Sequence, residues 1–174
     1  MQMEETLVLV KPDGVQKNLI GEVISRIERV GLKIVGLKLL QASEKLADQH
    51  YQLSEEWYTS VAEKTREAFA KQGITLDETD LEIGQRVQGW LKSYLLEGPV
   101  VAMVVRGNEA IDSIRKLIGF KEPKNATPGT IRGDFSTDSY ALADKEKRAI
   151  RNLVHASGST DEAQREIKLW FKKA

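Results

Sequence analysis

The chain contains two histidines, His50 and His155. His155 closes the short apolar run Leu153-Val154 and stands just ahead of a helix start in "RNLVHASGSTDEAQREI". A neutral imidazole nitrogen is a competent nucleophile near pH 7, because its unperturbed pKa is about 6.5. A lone histidine at a strand end equally suits plain packing. Three cations fall at other element ends: Lys11 after the first apolar run, Arg115 in the last turn of a helix, and Arg132 in the loop "PGTIRGD". An arginine forks onto two oxygens and a lysine offers a compact charge, which together suit a polyphosphate. Each also has a plainer reading. Lys11 could be a solvated strand end, Arg115 a charge favoured at a helix C-terminus, and Arg132 the ion-pair mate of Asp134. Glu166 could face water, and Tyr51, beside His50, could simply pack. Spacing alone does not show that these groups meet. Neither GxxxxGK[ST] nor GxGxxG is present, so the two commonest phosphate cradles are absent.

The elements that would position these residues come from hydropathy. With 174 residues and 41% apolar content, the chain can bury a proper core, and one domain over residues 1–174 is expected. Lys+Arg and Asp+Glu number 26 each, so no basic excess points to nucleic acid and no charged tail to a membrane surface. There is no cysteine, which removes disulfides, thiolate metal sites and cysteine nucleophiles. The N-terminal stretch is acidic where a signal peptide needs a basic region, and its apolar run is too short to span a bilayer. The cytoplasm is the expected compartment.

"TLVLV" reads as a buried strand and "KPDGV" as a turn. Ile20, Val23, Ile24, Ile27 and Val30 mark one face of a helix, with Asn18 as N-cap and Gly31 just past its end. "LKIVGLKLLQA" is a second strand. Ser43 to Leu53 reads as a short helix and Glu55 to Lys71 as an amphipathic one, with a further helix beginning at the Thr79/Glu82 capping box and running to Gly98. Glu55 to Glu97 is thus a helical hairpin inside the domain, and packing is the reading for Trp90. "PVVAMVVRG" is a third, central strand and "NEAIDSIRKLIG" a capped helix. Phe120 to Ile150 reads as a long irregular stretch, which in a compact domain is usually functional or disordered. "RNLVHAS" is a fourth strand, and Ser159/Glu162 cap a last helix with Ala163, Ile167, Trp170 and Phe171 facing in. The order implies an α+β, ferredoxin-like βαββαβ sandwich: a four-stranded antiparallel sheet with helices on one face and an inserted helical hairpin at about 55–97.

"LVLVKPDGVQKNLIGEVISRIERVGLKIVGLK", "PGTIRGDF" and "NLVHASGS…EIKLWF" resemble, in order, the signatures of the nucleoside diphosphate kinase family. The similarity covers nearly the whole chain. The resemblance implies the same sandwich, and ping-pong transfer of a γ-phosphoryl group from a nucleoside triphosphate to a nucleoside diphosphate through a phosphohistidine. It puts His155 at the nucleophile position. Glu166 matches the carboxylate on the other ring nitrogen, and Ser157 the hydroxyl that supports it. Lys11, Tyr51, Arg115 and Arg132 match positions that hold phosphates and the reacting group. Asn152, with Lys11, matches the contact to the sugar 3′-hydroxyl. Mg²⁺, ATP and other nucleotides, and a hexameric or tetrameric homo-oligomer are implied with them.

The chain departs from the family in four places. "GFKEP" sets Lys121 where a threonine usually contacts phosphate. Glu55–Glu97 and Ser136–Ile150 are lengthened, which leaves the base-stacking residue open among Val87, Trp57, Tyr58 and Phe69. "HASGS" replaces the commoner "HGSDS". The rival readings are a catalytically inactive nucleotide-binding or scaffold relative and a nucleic-acid-binding sandwich. Zero net charge opposes the second.

Overall fold

The structure, a computed structural model, describes residues 3–70 and 73–171. Strand β1 (Met3–Val10) leads into a short α1 (Pro12–Gln16), then α2 (Ile20–Arg29) and β2 (Lys33–Gln41). Three helices follow, α3 (Glu44–His50), α4 (Glu55–Ala70) and α5 (Asp80–Leu96), before β3 (Pro99–Asn108) and α6 (Ala110–Ile118). A 3-10 turn (Pro123–Asn125), α7 (Ile131–Phe135) and α8 (Tyr140–Lys145) lead to β4 (Val154–Ala156) and the last helix, α9 (Thr160–Phe171). Lys71, where the sequence reading ends the first hairpin helix, lies outside the described residues. No helix among the described residues is long and apolar enough to cross a membrane.

The four strands form one sheet in the order β2-β3-β1-β4, and every neighbouring pair is antiparallel. This is the ferredoxin-like order that the element sequence implies. Strand β1 is apolar from Leu7 to Val10 because both sheet faces are covered there. Val8 and Val10 pack with Val23 and Ile27 of α2 and Ile114 of α6. Leu7 and Leu9, pointing the other way, pack with Ala47 of α3, Leu95 of α5 and Trp170 of α9. Helices on a single face were expected. Here α3, α5 and α9 close the second face, and they bring His50 and Glu166 over the same strand end as His155.

Local signals settle differently in places. "KPDGV" is a turn of helix, α1, with Pro12 at its first position, where a missing N–H costs nothing. Asn18 does not cap α2. It takes a left-handed φ of 60°, and Leu19 occupies the cap position without a side-chain bond. The Thr79/Glu82 capping box forms in full. At α9 only half of the expected box forms: the Glu162 N–H donates to Ser159 Oγ (3.2 Å), while the Glu162 carboxylate accepts from the Gly158 N–H (2.6 Å).

The stretch read as irregular, 120–150, is folded. Asp138 organises it by accepting two bonds from the Arg148 guanidinium (2.7 and 3.0 Å) and one from the Arg151 N–H (2.6 Å). The fourth strand is shorter than expected because Leu153 is left-handed, φ 68°, which a Leu adopts only at a cost of about 1–2 kcal/mol. Its carbonyl accepts from the Lys11 N–H (2.8 Å) and its N–H donates to Asp13 Oδ2 (3.2 Å), which hold the kink. The kink separates Asn152 from the three-residue strand that carries His155.

Candidate active site

The end of β1, the kink before β4 and one face of α9 meet at His155. Register places His155 opposite Leu9, next to the strand end where Lys11 leaves the sheet. The His155 Nε2 lies 2.8 Å from Glu166 Oε2, and the same oxygen accepts the Ser157 hydroxyl at 2.6 Å. Glu166 is 1% exposed, so its lone pairs must be met within the protein. A carboxylate only accepts when ionised, which puts the imidazole proton on Nε2 and leaves the Nδ1 lone pair free. Burial, and after it the Lys11 charge, pull the His155 pKa down, so the ring is neutral and nucleophilic at pH 7.

The carboxylate has a second histidine neighbour. His50 Nδ1 lies 3.4 Å from Glu166 Oε1 and accepts from Trp170 Nε1–H at 3.3 Å. An indole nitrogen only donates, so the His50 proton sits on Nε2, and burial keeps the ring neutral with a pKa of about 3. The two imidazoles stand edge to face with centroids 4.7 Å apart. The sequence reading left His50 outside the site. Its signal was faint: a histidine at the end of a helix beside Tyr51.

The cations converge. Lys11 is buried within the fields of Arg132 and Lys121, and its Nζ donates to Asn152 Oδ1 at 2.9 Å. Burial first, then the Arg132 charge, lower its pKa to about 7. Asn152 also donates Nδ2–H to the Lys121 carbonyl (3.0 Å). Arg132 does not pair with Asp134, which instead meets Arg26 (2.8 Å) and the Gly129 N–H (2.7 Å). Arg132 donates to three backbone carbonyls, Asn152 O (3.1 Å), Gly119 O (2.9 Å) and Val154 O (2.8 Å), and so clamps the loop to the histidine strand.

Arg115 stands beside Gly158, ahead of α9. The Lys121 pKa is lowered by loss of hydration, then by Lys64 of α4 and Arg132. The Tyr51 hydroxyl is buried with no hydrogen-bond partner among the described residues, and burial followed by Glu166 pushes its pKa up. Beneath this floor Asp13 accepts from Tyr94 Oη (2.5 Å) and the Gly14 N–H (2.9 Å), bracing the turn after Lys11. All nine residues singled out from the sequence are thus brought into one connected region.

The donors suit anions better than a bare hard cation. Among the described residues the one grouping with ligand spacing is His50, His155 and Glu166. Two imidazoles and an occupied carboxylate do not make the oxygen cage that Mg²⁺ needs.

Comparison with known proteins agrees with this geometry. The nucleoside diphosphate kinase family model matches residues 4–70 and 84–174. It leaves only 71–83 of the helical hairpin unmatched, and the lengthened segment before the histidine strand falls inside the matched span. A nucleoside diphosphate kinase of Pyrobaculum aerophilum is 45% identical, covering 99% of this chain and 97% of its own. The crystal structure of an NDP kinase from that organism superposes with a TM-score of 0.94 at 45% identity, over 99% of this chain and 97% of the other. A transition state mimic of the Borrelia burgdorferi enzyme with bound vanadate and ADP has a TM-score of 0.80 at 40% identity, covering 98% and 88% of the two chains. The matched span, the shared fold and the identity along the whole chain agree: this chain belongs to the nucleoside diphosphate kinase family.

Proposed function

We propose that the chain performs its family's reaction, phosphoryl transfer from nucleoside triphosphates to nucleoside diphosphates, through His155. The carrying observation is the Glu166 bond to His155 Nε2, which leaves Nδ1 as the free lone pair. Nδ1 attacks the γ-phosphorus. The N–P bond forms, the bond to the β–γ bridging oxygen breaks, and the leaving diphosphate keeps that electron pair. The imidazole becomes positively charged and keeps its proton on Nε2, and Glu166 stabilises that charge. A second diphosphate attacks the phosphohistidine and reverses each step, which regenerates neutral His155.

Phosphoryl transfer asks for positioning and charge neutralisation more than for covalent chemistry by the protein. Lys11, Arg115, Arg132 and Lys121 supply the charge. Tyr51 offers its unpartnered hydroxyl to the phosphoryl group, and Asn152 with Lys11 takes the sugar 3′-hydroxyl. Mg²⁺ enters bound to the nucleotide. An inactive relative is disfavoured because histidine, carboxylate and cations all remain. We read residues 1–174 as one cytoplasmic domain. A homo-oligomer, hexamer or tetramer, suits the edge strand β2, which exposes Val35, Leu37 and Leu39.

The test is intact mass after incubation with ATP and Mg²⁺, with and without chelator. One acid-labile phosphoryl group is expected, absent with chelator and lost to added diphosphate. An unlabelled protein that binds ATP would refute the relay.

Lys11 yields a second expectation. A nucleotide's phosphates restore the proton that burial weakens, so binding takes up a proton wherever free Lys11 is neutral and bound Lys11 is charged. That window opens above the free value of about 7. Below it Lys11 is charged in both states and takes up no proton. Calorimetry of ADP binding at pH 8, where the ADP phosphates are fully ionised, should differ between two buffers of different ionisation heat by uptake of a fraction of a proton. Equal heats at pH 8 would remove Lys11 as the titrating group.

A further inference from the structure

Lys11 is buried without a carboxylate partner. Among the described residues its ammonium contacts two neutral side chains. It donates to Asn152 Oδ1 at 2.9 Å, and it lies 4.9 Å from the centroid of the Tyr94 ring of α5. Asp13 is next but one in sequence and its field reaches Lys11, yet no ion pair joins the two. The Asp13 oxygens are taken. Oδ1 accepts from Tyr94 Oη (2.5 Å) and the Gly14 N–H (2.9 Å), and Oδ2 accepts from the Leu153 N–H (3.2 Å). Burial, then the Asp13 charge, push the Tyr94 pKa up, so the hydroxyl keeps its proton and donates. Tyr94 therefore acts twice on one lysine. Its hydroxyl occupies the nearby carboxylate, and its ring gives the ammonium an electron-rich face. Arg151 lies over the same ring at 5.0 Å, but it pairs with Glu97. Of the cations in the site, Lys11 acts most strongly on His155, so its placement is felt at the reacting ring.

We propose that Tyr94 is a positioning residue for phosphoryl transfer: its ring holds the Lys11 ammonium at the site, and its hydroxyl keeps Asp13 from capturing that ammonium. The proposal rests on the reading that Lys11 serves transfer at His155. Two effects oppose each other at the lysine. Burial strips the ammonium of water and favours its neutral form, whereas the ring face favours the charged form. The ring's attraction is largest where water is excluded, as it is here. A carboxylate would hold the ammonium more firmly, but it would compete with the phosphate for the same N–H groups. A ring face supports the charge and leaves those groups to the nucleotide.

The test uses the full chain and reads the rate at which ATP with Mg²⁺ phosphorylates His155. Tyr94→Leu keeps an apolar side chain and loses the ring. It should slow phosphorylation by about thirtyfold, the size of a desolvated cation–π contact. Tyr94→Phe keeps the ring but frees an Asp13 oxygen, so its rate should fall between those of Tyr94→Leu and the wild type. A Tyr94→Leu chain as fast as the wild type, or a Tyr94→Phe chain no faster than Tyr94→Leu, would overturn the proposal. In a Lys11→Met background Tyr94→Leu should cause no further loss, and an equal loss there would show a merely structural tyrosine. Should Tyr94→Leu not fold, Tyr94→Phe with added ring fluorines decides. Fluorine keeps the ring's shape and drains negative charge from its face, so the rate should fall stepwise with each fluorine, by up to about tenfold. A flat series would overturn the proposal. A wild-type chain that takes no phosphoryl label would overturn the relay and this proposal with it. A labelled wild type beside an equally fast Tyr94→Leu would overturn only the proposal.

Discussion

His155→Ala should turn over no measurable nucleoside diphosphate, a loss of roughly 10⁴-fold or more, because covalent relay has no substitute nucleophile. His50 cannot take over. Its ring is buried and turns its lone pair towards Trp170 and Glu166. The fold should survive. The His155 side chain is 19% exposed, and the Glu166 carboxylate keeps the Ser157 hydroxyl at 2.6 Å when the imidazole goes. The check is a coupled transfer assay beside a thermal melt. Residual turnover above about a hundredth of wild type would mean that the phosphoryl group travels another way.

Arg132→Ala should be the most damaging change to stability. The guanidinium donates to three carbonyls, Asn152 O, Gly119 O and Val154 O, and these tie the loop after α6 to the two residues flanking the Leu153 kink. Each buried carbonyl left unpaired costs about 1–3 kcal/mol, and water entering the gap recovers part of it. A net loss of about 3–5 kcal/mol is expected, which in a chain of this size lowers Tm by about 10 °C or more. Arg132→Lys should not rescue it, since an ammonium cannot span three diverging acceptors with a planar fork. A shift of less than about 2 °C would show the clamp to be dispensable. Phosphate binding should fall as well, because burial lowers the Arg132 pKa only to about 10 and the group is charged at pH 7.

Much of the site was legible because its residues sit at element ends, which the hydropathy pattern marks well. Lys11 follows a five-residue apolar run, and His155 follows Leu153-Val154. Both ends converge because β4 pairs with β1 and sets His155 against Leu9. The signature around His155 likewise names Glu166 and Ser157, since α9 follows at once and its turns carry Glu166 back. Less legible were residues whose role depends on a neighbour far along the chain. Asp134 is the nearest acid to Arg132 in sequence, yet it pairs with Arg26 of α2, and Arg132 turns to main-chain carbonyls. The Phe120–Ile150 stretch looked irregular because its order comes from Asp138 gripping Arg148 and the Arg151 N–H, not from periodic burial.

By itself the sequence determined the antiparallel sandwich, and it picked out His155 as the candidate nucleophile with most of the groups that the fold gathers around it. Periodic burial and turn chemistry act over a few residues, and those are readable from a string. Only the tertiary structure decided that helices cover both sheet faces, that His50 and Trp170 flank Glu166, and that the Tyr94 ring meets the Lys11 ammonium. Each of these depends on how close atoms lie when distant segments pack. Close packing and buried hydrogen bonds are fixed by that separation, to within a few tenths of an ångström, and one-dimensional spacing does not contain it.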